Sequence, residues 1–277
     1  MPVLHAIVLG IVQGLSEFLP ISSSGHLILV PELFNWNELA NHPQLNKTFD
    51  VALHIGTLVA ALWYFRRDLG RYAVAGIQSI RTRSVRSTDE RLAWLLLLSA
   101  VPGAIVGALL SSTIDEELGD PVLIGAMLVV FGVVLWFADR LSGTRAPDEF
   151  RTRDAIVMGI AQAAALQPGV SRSGVTMSVG RWLHFDREAA ARLSFLMSIP
   201  IIAGAALYKA LEVATGRGIP DGFVEPMVWG TIASGIAGFV AIAGLLRLLT
   251  HRSFLPFVVY RILFGVGVIV VFATGVR

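Results

Sequence analysis

The chain has no cysteine, which excludes disulfides and thiolate metal sites and leaves the redox compartment open. Charge is scarce, at 15% of 277 residues. No lysine or arginine precedes Lys47, so the N-terminus lacks a basic n-region and no cleavable signal peptide is expected. Apolar residues fill the chain: 55% are hydrophobic, mean hydropathy is +0.69, and 27 residues are glycine. That is too apolar for a soluble domain of this length, and abundant glycine suits closely packed membrane helices. The expected class is an all-α polytopic membrane protein.

Uninterrupted runs near 50–66, 92–112, 121–140, 189–211, 224–248 and 254–275 are each about long enough to cross a hydrocarbon core of about 30 Å. Two further apolar stretches, 3–32 and 154–182, are broken by Gly, Pro and Ser. Irregular backbone at membrane depth must face protein or a wet cavity, so these read as re-entrant helix-loop-helix segments. Residues 33–48 and the connections 66–91 and 140–153 read as surface loops. The 66–91 connection holds seven arginines, and 16 of the 22 basic residues fall on one side of this arrangement. Lys47, Lys209, Arg217, Arg277 and the acidic Asp115-Glu116-Glu117 fall on the other. The arginine-rich side is expected in the cytoplasm. Beside a membrane such a run is a topology signal first and an anionic-lipid contact second, so nucleic acid is not an expected partner.

The two broken stretches are related. Ala6-Ile7-Val8-Leu9-Gly10-Ile11-Val12-Gln13 leads to Ser22-Ser23-Ser24-Gly25, and Ala155-Ile156-Val157-Met158-Gly159-Ile160-Ala161-Gln162 leads to Ser171-Arg172-Ser173-Gly174. Every paired position is 149 residues apart, which marks an internal duplication. The chain divides into repeat one, about 1–145, and repeat two, about 150–277, each with three spans and one broken segment. An odd number of spans inverts one repeat against the other and brings the broken helices together near the midplane.

The stretch from Pro168 to Thr176 concentrates the polar chemistry. Its breakers free backbone amides, which can hold an anion near Gly169 and Gly174. Arg172 adds a planar fork suited to phosphate oxygens. Ser171, Ser173 and Thr176 supply hydroxyls. In the first broken stretch, Gln13 and Glu17 share a helix face, and an intramembrane acid is a functional candidate by default. Glu17, with Gln13, suits a hard divalent cation. Ser23 precedes His26 by three residues, so the imidazole could serve as acid or base for a hydroxyl nucleophile, or simply sit in a helix start. Arg261 lies at depth and either snorkels or joins the site. His5 and His54 read as helix-packing histidines.

These residues resemble undecaprenyl pyrophosphate phosphatases of the bacitracin-resistance type. The (E/Q)xxxE motif stands as Gln13 to Glu17, followed by Phe18 to His26, and the PGxSRSxxT motif as Pro168 to Thr176. The late Pro256-Phe257-Val258-Val259-Tyr260-Arg261 is also similar. The resemblance implies release of the terminal phosphate from undecaprenyl pyrophosphate, recycling the lipid carrier for peptidoglycan synthesis and conferring bacitracin resistance. It implies a multi-pass protein of the bacterial cell membrane, a site open to the outer side, and dependence on Mg²⁺ or Ca²⁺. Glu17, Ser23, His26 and Arg172 are then the expected catalytic set, with Gln13 and Glu17 on the metal. Gln13, Gly169, Ser171, Ser173, Gly174, Thr176 and Arg261 are expected on the pyrophosphate, and the attacker is Ser23 or water. The expected partners are the prenyl pyrophosphate, membrane lipid and, at most, a second copy in a homodimer. The rival reading is a transporter or flippase of a prenyl-phosphate lipid, since inverted repeats with broken helices also build carriers.

Overall fold

The computed structural model describes residues 1–36, 38, 42–215 and 222–275, without the side chains of 43, 110–117, 209 and 212–215. Arg217, Arg277 and the side chains of Lys209 and Asp115-Glu116-Glu117 therefore lie outside the described parts. The described residues form eleven α-helices: α1 (Val3–Phe18), α2 (Ser23–Phe34), α3 (Pro43–Tyr64), α4 (Arg66–Thr82), α5 (Thr88–Glu117), α6 (Pro121–Asp139), α7 (Thr152–Ala164), α8 (Arg172–Trp182), α9 (Arg187–Thr215), α10 (Val224–Leu249) and α11 (Leu255–Ala273). A 3-10 turn at Pro147–Glu149 interrupts the 140–153 connection.

Helices α5, α6, α9, α10 and α11 are long and apolar enough to cross a membrane. A sixth crossing is reached if α3 and α4, bent by 80° at Phe65, count together. Large apolar side chains such as Ile105, Ile236 and Leu263 stay exposed on the outer faces, as lipid-facing helices require. The protein is a multi-pass membrane protein.

Three expectations about connections need correction. The 66–91 stretch holds α4, because arginine is a good helix former and Tyr72 and Ser79, two turns apart, face inward. Residues 33–48 are shorter as a connection than expected, since α3 begins at Pro43, a residue well suited to a first turn. The acidic run ends α5, which leaves only 118–120 between α5 and α6.

The packing that positions the site relies on missing side chains. Helix α1 lies directly on α10: a Cβ on Gly10 would stand 2.3 Å from Gly230 O, and one on Gly14 2.4 Å from Ser234 O. Backbones approach this closely only where one helix carries glycine. Helix α10 is tied to α3 in turn, with Thr231 Oγ1 donating to Ala52 O at 3.0 Å and Ser234 Oγ to Leu53 O at 2.8 Å. At the arginine-rich end, ion pairs of 2.5 Å join Arg145 to Asp154, Arg187 to Asp139 and Arg192 to Asp68. Those arginines, expected only as a topology signal, also fasten α9 and the start of α7.

Candidate active site

Both broken segments turn in the same way. Ser22 and Ser171 sit at φ 77° and 73°, a region that non-glycine residues rarely occupy. Each caps the next helix, with Ser22 Oγ accepting from Gly25 N at 3.4 Å and Ser171 Oγ from Gly174 N at 3.1 Å. The two turns touch, because Ser22 Oγ also accepts from Gly169 N at 3.0 Å and Ser173 Oγ donates to Leu19 O at 3.0 Å. Gly169 has φ 93°, and a Cβ there would lie 2.6 Å from Ile124 O, so only glycine fits.

The contact brings Glu17 and Arg172 together across 155 residues of sequence. Arg172 Nη2 donates to Glu17 Oε1 at 2.7 Å. Ser23 Oγ donates to Glu17 Oε2 at 2.6 Å, and Gln13 Nε2 to the same oxygen at 3.1 Å. Glu17 and Gln13 are buried, so an unpaired carboxylate here would be costly; the guanidinium offsets its charge and the donors fill its lone pairs. Beside this cluster opens a cavity of about 660 Å³, walled by Glu17, Ser22, Ser23, Ser24, Ser171 and Arg172 on its polar side. Its other wall is apolar, with Leu166, Ile201, Ala205 and Tyr208.

His26 departs from expectation. Its Nδ1 stands 2.7 Å from Ser22 O and its Nε2 2.7 Å from the Tyr260 hydroxyl, while the ring stacks on Phe264 at 4.8 Å. A carbonyl only accepts, so Nδ1 carries the proton and the neutral ring accepts from Tyr260. Three residues of helix do place Ser23 and His26 close in sequence, but they point to different partners: the hydroxyl goes to Glu17.

Arg261 neither snorkels nor lines the cavity. It is fully buried, and each of its three guanidinium nitrogens donates to a backbone carbonyl. Nη1 reaches Pro20 O at 3.1 Å, Nη2 reaches Gly169 O at 2.8 Å and Val170 O at 3.0 Å, and Nε reaches Leu128 O at 3.1 Å. It is a clamp on both turns. Ser173 and Thr176 are likewise buried, Thr176 Oγ1 bonding to Arg172 O at 2.7 Å and to Ser194 Oγ at 2.7 Å. The amides of Gly169 and Gly174, expected to be free, are taken by Ser22 and Ser171. Of the residues expected on the pyrophosphate, Ser171 alone lines the cavity, together with the expected catalytic Glu17, Ser23 and Arg172.

Two neighbours of the site were not expected there: Tyr260 was not singled out, and His54 was read as a helix-packing histidine. Tyr260 meets His26 Nε2 at 2.7 Å, and its only sequence signal was the late Pro256–Arg261 stretch. His54 faces the cavity from α3, with Nε2 3.5 Å from Glu17 Oε2. Its signal was the spacing of Lys47, Asp50 and His54, which sets three ionisable groups on one face of an intramembrane helix.

A divalent cation fits the donor chemistry rather than a finished cage. Among the described residues no group of three His, Cys, Asp or Glu is placed to hold a metal. Gln13 Oε1, however, is buried without a partner beside the Glu17 carboxylate. Turning the Gln13 amide over would present two oxygens together, an arrangement that repels unless a cation lies between them. Magnesium is commonly held by one or two protein oxygens with phosphates and water completing its shell.

Residues 6–267 match the family described as bacitracin resistance protein BacA. The undecaprenyl-diphosphatase of Pelobacter propionicus is 46% identical over 278 residues, covering 100% of this chain and 99% of the relative. The undecaprenyl-diphosphatase of Geobacter metallireducens is 45% identical, covering 96% of this chain and 97% of the relative. That of Nocardioides is 44% identical, covering 99% and 97%. The match spans both broken segments and the helices that hold them, and the chain belongs to the bacitracin resistance protein BacA family.

Proposed function

We propose that the protein is an undecaprenyl-diphosphatase, hydrolysing undecaprenyl pyrophosphate to undecaprenyl phosphate and inorganic phosphate. The observation that carries the reading is the Arg172–Glu17 pair with Ser23 Oγ 2.6 Å from Glu17 Oε2, all on the wall of one cavity. A pure carrier needs an anion site but no hydroxyl hydrogen-bonded to a carboxylate base.

Phosphoryl transfer depends on charge neutralisation and positioning. Arg172 takes phosphate oxygens and stabilises charge as it builds in the transition state. Ser23 Oγ attacks the terminal phosphorus, its proton passing to Glu17 Oε2. The bond from that phosphorus to the bridging oxygen breaks, and undecaprenyl phosphate leaves with the electron pair. Water then hydrolyses the phosphoserine, releasing phosphate and restoring Ser23. His26 keeps the first turn in shape through Ser22 O. Glu17 and Gln13 would hold Mg²⁺ or Ca²⁺, whose role when bound is to neutralise the pyrophosphate. The apolar wall on α9 receives the start of the prenyl tail.

The two related segments enter from opposite faces as inverted repeats, with the cavity reached from the outer side of the bacterial cell membrane. The arginine bias of the 66–91 and 140–153 stretches supports this orientation. Purified protein in detergent should release phosphate from a prenyl pyrophosphate, lose that activity in EDTA and regain it with Mg²⁺ or Ca²⁺. Absence of phosphate release with either ion overturns the reading.

A further inference from the structure

Helix α4 takes no part in the site, yet most of its surface is exposed. Helix α3 holds the expected 50–66 span, so a helix bent 80° from it runs close to the plane of the bilayer. One side of α4, with Tyr72 and Ser79, is buried against the start of α5, where Trp94 Nε1 donates to Ser79 Oγ at 2.9 Å. The exposed remainder divides in two. Val74, Ile77 and Ile80, three residues apart with Ala73 beside them, make an apolar strip. Arg67, Arg71, Gln78 and Thr82 share the neighbouring face, and Arg81 and Arg83 close the C-terminal end. Arg71 is engaged by Asp68 at 3.3 Å and Asp89 at 3.8 Å. Arg67, Arg81 and Arg83 have no acidic partner among the described residues. Two exposed tryptophans adjoin the helix: Trp94, and Trp63 in the last turn of α3, with the Arg66 guanidinium 5.0 Å from its ring. Tryptophan gathers at the level of lipid headgroups.

We propose that α4 is an interfacial helix that binds anionic phospholipid. Its Val74, Ile77 and Ile80 strip is sunk to the acyl chains, and Arg67, Arg81 and Arg83 meet lipid phosphates. A lipid is the occupant that satisfies both faces together, since its chains cover the strip while its headgroups neutralise the guanidinium forks. A soluble acidic partner would answer the arginines and leave the apolar strip in water. A second copy packed on this face would set arginine against arginine. The proposal stands apart from the diphosphatase reading and from which side of the membrane α4 occupies.

The chain has no cysteine, so Ile77→Cys and Gln78→Cys can each carry a single fluorophore. The full chain is placed in nanodiscs of equal parts phosphatidylcholine and phosphatidylglycerol. The label at 77 should be quenched by doxyl groups on the acyl chains and spared by aqueous iodide, and the label at 78 should show the reverse. Short-chain phosphatidylglycerol is then titrated into the detergent-solubilised protein, with phosphatidylcholine as the neutral control. Combining Arg67→Gln, Arg81→Gln and Arg83→Gln should weaken phosphatidylglycerol binding about 10- to 100-fold and leave phosphatidylcholine binding unchanged. The same three positions changed to lysine should stay within about fivefold of wild type, because charge carries most of the attraction. Should the glutamine variant fail to fold, rising salt replaces it, and phosphatidylglycerol binding alone should weaken. Iodide quenching at 77, equal affinity of the wild type for the two lipids, or lysine as poor as glutamine each overturns the proposal. So does a disulfide between two Ile77→Cys chains in the bilayer, which would give the face to a second copy.

Discussion

The turn between α1 and α2 and the turn between α7 and α8 share a backbone and differ in chemistry. At 149 residues apart, Ser22 matches Ser171, Gly25 matches Gly174 and Gln13 matches Gln162, and both glutamines keep a buried Oε1 without a partner. The caps and positive φ values repeat as well. The reactive positions do not. Glu17 corresponds to Leu166, Ser23 to Arg172 and His26 to Val175. One copy of the frame keeps the acid and the hydroxyl; the other keeps the cation. Only where the two turns touch do the opposite charges meet, which teaches that one backbone frame can carry two different sets of side chains.

Substitution at the matched positions tests that division, the largest effect first. If Ser23 is the attacker, as proposed, Ser23→Ala should abolish turnover while lipid affinity, still held by Arg172, stays close to wild type. Retention of more than about a tenth of wild-type kcat would hand the attack to water, since covalent catalysis does not survive loss of its nucleophile. At the matched position, Arg172→Lys keeps the charge but loses the fork. Phosphate release should then fall by about one to three orders of magnitude. Unchanged turnover in a well-folded variant would make Arg172 an anchor only.

The smallest effects separate the two serine caps. Ser22→Ala strands Gly169 N, a donor from the other turn, as well as its own cap, and should cost about 1–3 kcal/mol in denaturant unfolding. Ser171→Ala loses the cap on Gly174 N and a 3.3 Å contact with Ser173, and should cost about 1 kcal/mol. Equal losses would mean that the Ser22–Gly169 link adds nothing to stability.

Much of this was legible in the sequence because polar residues are rare in it. Glu17, Ser23 and Arg172 stand out against an apolar background, and the fixed offset paired their segments. Other features left weaker traces. Helix α4 hid behind its arginines, which read as orientation rather than as helix. The Ser23–His26 spacing suggested a couple, but the partner of His26 is Tyr260, 234 residues on, and no local rule reaches that far. His54 looked like packing because one histidine on an apolar helix gives no hint of the Glu17 carboxylate opposite. Arg261 was visible as a charge at depth, yet its partners are backbone carbonyls, which have no sequence signature.

Arg261 also limits how the molecule can move. Pro20 and Gly169 are equivalent positions, 149 residues apart, and one guanidinium holds the carbonyl oxygens of both. Any rocking that parted the segments here would leave a buried cation facing broken contacts. The seam is thus the stiff axis of the protein. The far side of the cavity, lined by α3 and α9, is where a lipid is expected to enter.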